Sequence, residues 1–175
     1  VPLAQGCEEI EAVTVIDILR RAGVEVISAS LNNQPILASR GVALLADVML
    51  DSVAHDHFDM IVLPGGQPGS DNLKADPRII TLLQKMAQQG KYLAAICAAP
   101  SVMASAGLLD GRQATSFPGA LDKFPQIIRQ TAAVVEDGKL ITSRGPGTAM
   151  DFALTLVERL VGKAKRLEVE AGLQR

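Results

Sequence analysis

The chain has 175 residues, of which 48% are hydrophobic and 21% charged, the balance of a folded globular protein rather than a disordered one. Its 17 basic and 19 acidic side chains give a net charge of -2, which excludes a dedicated basic nucleic-acid footprint. No apolar run reaches the roughly 18 residues of a membrane span, no signal peptide is visible, and two cysteines are too few for a disulfide framework. A cytoplasmic protein is therefore expected. Aromatics are 3% with no Trp, which disfavours a flavin or nucleobase stacking site.

Val1–Ala4 reads as the end of a strand that lacks its first residues. The sequence predicts a helix over Glu8–Ala22, with Ile10, Val13, Ile16 and Leu19 at helical spacing and Gly23 as the stop. A strand is expected over Val24–Ser30, then strands at Ile36–Ala38 and Val42–Met49, arranged as a hairpin. Asp59–Leu63 is a continuous apolar run of the kind buried on both faces of a sheet, ending at Pro64-Gly65-Gly66. Asp76 as N-cap, Pro77 in the first turn and Gly90 as stop bound another helix. Tyr92–Ile96 is again a buried strand, followed by Cys97 and a helix over Pro100–Ala106. A strand near Ala114–Phe117, a hairpin across Asp137-Gly138 and a last long helix over Thr148–Val161 complete the pattern. Alternating apolar strands and amphipathic helices predict an open α/β sheet with helices on both faces, in one domain over 1–175.

Ligand sites in such sheets lie beyond the carboxyl ends of the strands. Cys97 falls there, between a buried strand and a helix opened by Pro100, where the helix dipole favours a thiolate. That placement suits a nucleophile on a tight elbow, and equally a small buried cysteine filling a strand end. Gly65-Gly66 closes the neighbouring strand; it is either a plain tight turn or a pair of exposed amides able to face an oxyanion. Glu8, Glu9 and Glu11 complement the dipole of the first helix. Glu11, close to the Ile10 face, would share one proton with Cys97 if it points into the crevice. His55 and His57 precede the strand that ends at Gly65, about 25 Å of extended chain away, so a Cys-His pair is excluded. Neither cysteine lies in a C-x-x-C and no His pair has metal-ligand spacing, so no metal is expected.

Four segments carry a resemblance along nearly the whole chain. Ala95-Ile96-Cys97-Ala98-Ala99-Pro100, Val62-Leu63-Pro64-Gly65-Gly66, Ser39-Arg40-Gly41-Val42 and Thr142-Ser143-Arg144-Gly145-Pro146-Gly147-Thr148 resemble the ThiJ/PfpI superfamily. The branch they resemble holds Parkinson disease protein seven and the bacterial YajL-type proteins. The resemblance implies a flavodoxin-like three-layer sandwich with a mostly parallel sheet, like that of class I glutamine amidotransferases, and a homodimer. It also implies a low-pKa nucleophile and oxidation sensor at Cys97, with Glu11 as its carboxyl partner. Gly65, Gly66 and Ala98 match positions whose amides face the substrate; Ser143, Arg21 and Arg40 match positions lining the site or an anion pocket at the dimer contact. The implied function is cofactor-independent action on reactive dicarbonyls such as methylglyoxal, or on early glycation adducts of proteins. The alternative is a redox-sensing stress chaperone switched by Cys97 oxidation. Phe117 stands where the animal protein has a histidine, and Ala98 where the protease-like branch has one, which weakens a peptidase reading. Cys7 lies at another strand end, so a Cys7–Cys97 disulfide is a minor alternative to two separate cysteines.

Overall fold

A computed structural model describes residues 1–32 and 34–175. The chain begins with β1 (Pro2–Leu3), α1 (Glu9–Arg21) and β2 (Ala29–Ser30). The short hairpin β3 (Ile36–Leu37) and β4 (Ala43–Leu44) leads to β5 (Val48–Met49), α2 (Leu50–Val53) and β6 (Met60–Leu63). Two helices, α3 (Gly69–Ala75) and α4 (Pro77–Gln88), precede β7 (Tyr92–Ile96) and α5 (Pro100–Ser105). Then come β8 (Gln113–Ala114), β9 (Ile128–Arg129), β10 (Val134–Asp137), β11 (Leu140–Ser143), a 3-10 turn at Pro146–Thr148, α6 (Ala149–Val161) and α7 (Lys163–Gly172).

The strands order as β5-β2-β1 and β6-β7-β11-β10, with β1 lying beside β6. Every pair in these two runs is parallel except β10 with β11. Alternation along the central strands builds two cores. Ile61, Leu63, Leu93 and Ala95 point to one face, where they meet Leu73 of α3, Leu83 of α4 and Val102 of α5. Val62, Ala94 and Ile96 point to the other, against Val15 of α1, Phe152 of α6 and Val169 of α7. The expected helix–sheet–helix sandwich is the observed one.

Local signals placed several elements well. Asp76 accepts from the Arg78 amide and caps α4 ahead of Pro77, as its sequence predicts. β7 spans Tyr92–Ile96, and β10 and β11 form the hairpin across Gly138. Other expectations need correction. Regular strand pairing covers only Ala29–Ser30 of the apolar run over 24–30. The expected elements do not include α2, α3 or α7; the last of these follows Gly162, which stands at φ +95 and starts a new helix instead of ending the chain's helical structure.

The largest correction concerns α1. The stripe Ile10–Val13–Ile16 is not the buried one: Ile10 and Val13 are 54% and 47% exposed, while Glu11, Ala12, Val15 and Ile18 are buried. The helix carries two apolar stripes, and packing against α6 and the sheet selects the one that includes Glu11.

Candidate active site

Cys97 directly follows β7, and its backbone stands at φ +63, a left-handed conformation costly for a residue with a Cβ. Surrounding contacts hold it there. Its N–H donates to the Ser143 carbonyl (3.0 Å) and its own carbonyl accepts from the Phe117 N–H (2.8 Å). The elbow is thus tied to the end of β11 on one side and to the loop after β8 on the other.

Glu11 reaches the same place from α1 because two glycine-rich turns interlock. The Glu8 N–H donates to the Gly65 carbonyl (3.0 Å) and the Gly69 N–H to the Gly6 carbonyl (3.2 Å). A Cβ on Gly66, at φ +90, would lie 2.5 Å from the Glu8 nitrogen; a Cβ on Gly69 would lie 2.6 Å from Cys7 Cα. Only glycine permits this approach, which brings the first turn of α1 against the end of β6. Glu8 caps that turn by accepting from the Glu11 N–H (2.8 Å), and Glu11 turns inward.

The Glu11 carboxyl is fully buried. Its Oε2 accepts from the Gly65 N–H at 2.7 Å, whereas Oε1 has no hydrogen-bond partner. A Cβ placed on Gly65 would sit 2.6 Å from Cys97 Cβ and 2.8 Å from Glu11 Oε2, so the carboxyl and the cysteine share one hollow with this glycine at its floor. Burial pushes the Glu11 carboxyl up from 4.5 to about 7, against the opposing pull of the Gly65 amide.

Burial, followed by the charge of Glu11, pushes the Cys97 thiol up to about 12, while the Gly66 and Ala98 amides pull it down. The expectation of a low-pKa thiol from the helix dipole therefore fails: burial is the largest cause, and the charge of Glu11 adds to it. Two negative charges in one desolvated hollow are prohibitive, so the pair gives up its first proton far more readily than its second. A Cys97 thiolate is compatible only with a neutral Glu11. Since Oε2 already accepts from Gly65, Oε1 is the carboxyl atom left free to take or give a proton.

The remaining expected residues divide. Gly66 and Ala98 present amides to the sulfur. Gly65 does not: its N–H is spent on Glu11, a correction to its expected place facing substrate. Ser143 is fully buried; its hydroxyl donates to the Ala133 carbonyl (2.8 Å) and pairs with Thr148 Oγ1 (2.7 Å). It positions Cys97 through its carbonyl and does not line the crevice with its side chain. Arg21 pairs with Asp17 (2.7 Å) at the far end of α1, ten residues or about 15 Å of helix from Glu11, so within one chain it is not part of the site. Arg40 is tethered by its N–H to Glu9 (2.9 and 3.1 Å), and its side chain is exposed. One neighbour was not singled out: a Cβ on Gly145 would lie 4.0 Å from Cys97 Sγ, and the Gly-Pro-Gly spelling of its loop was the available signal.

Both cysteines are free thiols. Cys7 is fully buried, and burial with the nearby Glu9 and Glu8 charges pushes it up to about 11. His55 and His57 are exposed and border a cavity of about 550 Å3 at the opposite ends of the strands, with Val1 and Met60. Among the described residues, no cluster of His, Cys, Asp and Glu is arranged to hold a metal, and no helix is long and apolar enough to cross a membrane.

An open parallel sheet that offers a carboxyl-paired cysteine on a strained strand-to-helix elbow defines a class of α/β proteins with a cysteine elbow. Within that class, residues 1–159 match the DJ-1/PfpI family, and the chain belongs to it. The chain is similar to dj-1beta of Drosophila melanogaster, with 45% identity over 98% of this chain and 93% of that protein. The crystal structure of Drosophila DJ-1beta covers 99% of this chain and 95% of its own, with a TM-score of 0.95 at 44% identity. DJ-1 homolog B of Arabidopsis thaliana is 44% identical over 97% of this chain, which spans only 39% of the plant protein's length. A protein of Caenorhabditis elegans named glutathione-independent glyoxalase DJR-1.2 is 35% identical over 92% of this chain and 87% of its own.

Proposed function

We propose that this chain is a cofactor-independent cysteine enzyme of the glyoxalase or deglycase type, acting on small dicarbonyls or their early adducts. The observation that carries the reading is the fully buried Glu11 carboxyl beside Cys97, with one oxygen held by Gly65 and the other without a partner. The name of the C. elegans relative supports it.

The chemistry proceeds with methylglyoxal as the test substrate. With one proton between its two groups, the pair rests as Cys97 thiol and Glu11 carboxylate, and Glu11 takes the thiol proton as the sulfur attacks. Sulfur adds to the aldehyde carbon, the C–S bond forms, and the carbonyl electrons move to oxygen. The amides of Gly66 and Ala98 stabilise that charge, and Glu11 Oε1 donates its proton to give a hemithioacetal. Now a carboxylate, Glu11 removes the proton from the sulfur-bearing carbon and returns it to the adjacent one, while the hydroxyl proton passes from the first oxygen to the second, which leaves a 2-hydroxy thioester. Water cleaves the thioester, releasing lactate and restoring the thiol. The net change is addition of water, with no oxidant or reductant consumed. Gly65 and Ser143 act as positioning residues, one for the Glu11 carboxyl and one for the Cys97 backbone.

The outward apolar stripe of α1, with Ile10 and Val13 half exposed, supports the further proposal that the protein is a homodimer through this helix. Lactate formation from methylglyoxal by wild type, Cys97→Ser and Glu11→Gln, with aggregation assays in parallel, tests the activity. Lactate from wild type and none from either variant is expected. Absence of lactate from wild type together with Cys97-dependent suppression of aggregation overturns the enzyme reading in favour of a redox-switched chaperone.

A further inference from the structure

The chemistry above uses only the floor of the crevice. Beside it lies a cleft of about 290 Å3 that the proposed mechanism leaves empty of any role. Its lining includes Phe117, Pro118, Leu121, Asp122, Arg129 and Arg144. Two of these residues belong to the loops that frame the nucleophile. The Phe117 N–H is bonded to the Cys97 carbonyl at 2.8 Å, and Arg144 directly precedes Gly145, whose Cα faces the sulfur. The Phe117 ring and Cys97 Sγ both border the space a Gly145 side chain would take, at 3.5 and 4.0 Å from its Cβ. The cleft therefore starts where the cysteine's crevice stops, with the half-exposed ring of Phe117 as the partition.

Its charge is uneven. Arg129 pairs with Asp122 at 2.6 Å, which leaves those two neutral together. Arg144 joins no ion pair among the described residues; its Nη1 donates to the Thr131 carbonyl at 3.3 Å, and the side chain is exposed. A guanidinium presents five donors in a planar fork matched to a carboxylate or phosphate, and one long bond to a carbonyl leaves most of that fork free. Leu121, Pro118 and the Phe117 ring supply apolar walls around it, which favours a rigid, flat spacer between the anion and the reacting carbon.

Resting on the proposed dicarbonyl chemistry at Cys97, we propose that this cleft is a subsite for an anionic substituent of the carbonyl substrate, with Arg144 as the residue that reads the charge. The substrate class is then a 2-oxoaldehyde bearing a carboxylate or phosphate beyond an apolar spacer, larger than methylglyoxal.

The test compares phenylglyoxal with 4-carboxyphenylglyoxal, which differ by one ring carboxylate, on wild type, Arg144→Gln and Arg144→Lys. Wild type favours the carboxylated compound, the ratio of kcat/KM values falls about tenfold in Arg144→Gln, and Arg144→Lys, which keeps the charge without the planar fork, restores part of it. A ratio unchanged by Arg144→Gln overturns the proposal. A second readout separates this from the activity itself: binding of 4-acetylbenzoate and of acetophenone to Cys97→Ser, followed by NMR shifts of the Thr131 and Gly145 amides. Carboxylate-dependent binding lost in the Cys97→Ser, Arg144→Gln double variant supports the subsite even if neither glyoxal is turned over, in which case only the dicarbonyl reading falls. Equal binding of the two ligands overturns the subsite whatever the turnover.

Discussion

Replacing Glu11 by Gln makes the cost of the buried acid measurable. Gln keeps the shape and keeps an oxygen to accept the Gly65 N–H now bonded at 2.7 Å, but it cannot ionise. Burial raises the carboxyl from 4.5 to about 7 in the folded protein. A raised folded pKa means that the group's favourable contribution is fully present below the unfolded value and is lost as pH rises through the folded one. Each pH unit of displacement corresponds to about 1.4 kcal/mol, so ionising Glu11 within the fold costs about 3 kcal/mol once pH exceeds both values. Other carboxylates titrate alike in both proteins and cancel in the difference. Urea unfolding of wild type and Glu11→Gln across pH 4.5 to about 8 should show a stability difference in favour of Gln that grows by about 3 kcal/mol, most of it between pH 5 and about 7. Lactate formation is lost in the variant over the same range. A difference that stays flat or shrinks with pH refutes the reasoning, because it means that Glu11 does not bear its charge in a desolvated site.

Other substitutions address the packing around that acid. Gly65→Ala puts a Cβ within 2.6 to 2.9 Å of Cys97 Cβ, Glu11 Oε2 and the Ile96 carbonyl, none of which can yield easily. It should cost about 3 kcal/mol in urea unfolding and abolish lactate formation, and a stable, active variant would show that the hollow is looser than its geometry implies. Phe152 is fully buried between α1 and the sheet, so Phe152→Ala should cost about 3–5 kcal/mol, read from the shift of the urea midpoint at constant slope. Charging the outward stripe of α1 with Ile10→Glu and Val13→Glu should reduce the mass seen by light scattering from twice the 18.4 kDa chain to one, with the far-ultraviolet spectrum retained. A wild-type mass of one chain counts against the dimer at once.

Much of this layout was legible without coordinates. Tyr92–Ile96 followed by Cys97 and Pro100 marks a strand-to-helix elbow, because the apolar run, the break and the fixed φ of proline are all local properties. The capped helix from Asp76 and the hairpin across Gly138 are local in the same sense. The C-terminal helix α7 escaped because only Val169 of its sequence is buried, so its apolar periodicity is faint. Pairing over only Ala29–Ser30 follows from the partners: β1 and β5 are themselves two residues long, and an apolar run carries no record of its neighbours' length.

The sequence by itself determined the alternation of strands and helices, the position of Cys97 at a strand end and the exclusion of both histidines from its neighbourhood. These depend on period, punctuation and chain length, which a single stretch of chain contains. Tertiary structure alone decided which stripe of α1 faces inward, and with it the burial of Glu11. It also decided that the Gly65 amide serves the carboxyl instead of a substrate, and that Cys97 and Glu11 cannot both be charged. The reason is desolvation: the energy of a charge depends on what packs around it from remote parts of the chain, here β6, β7 and α1 together, and no local pattern carries that.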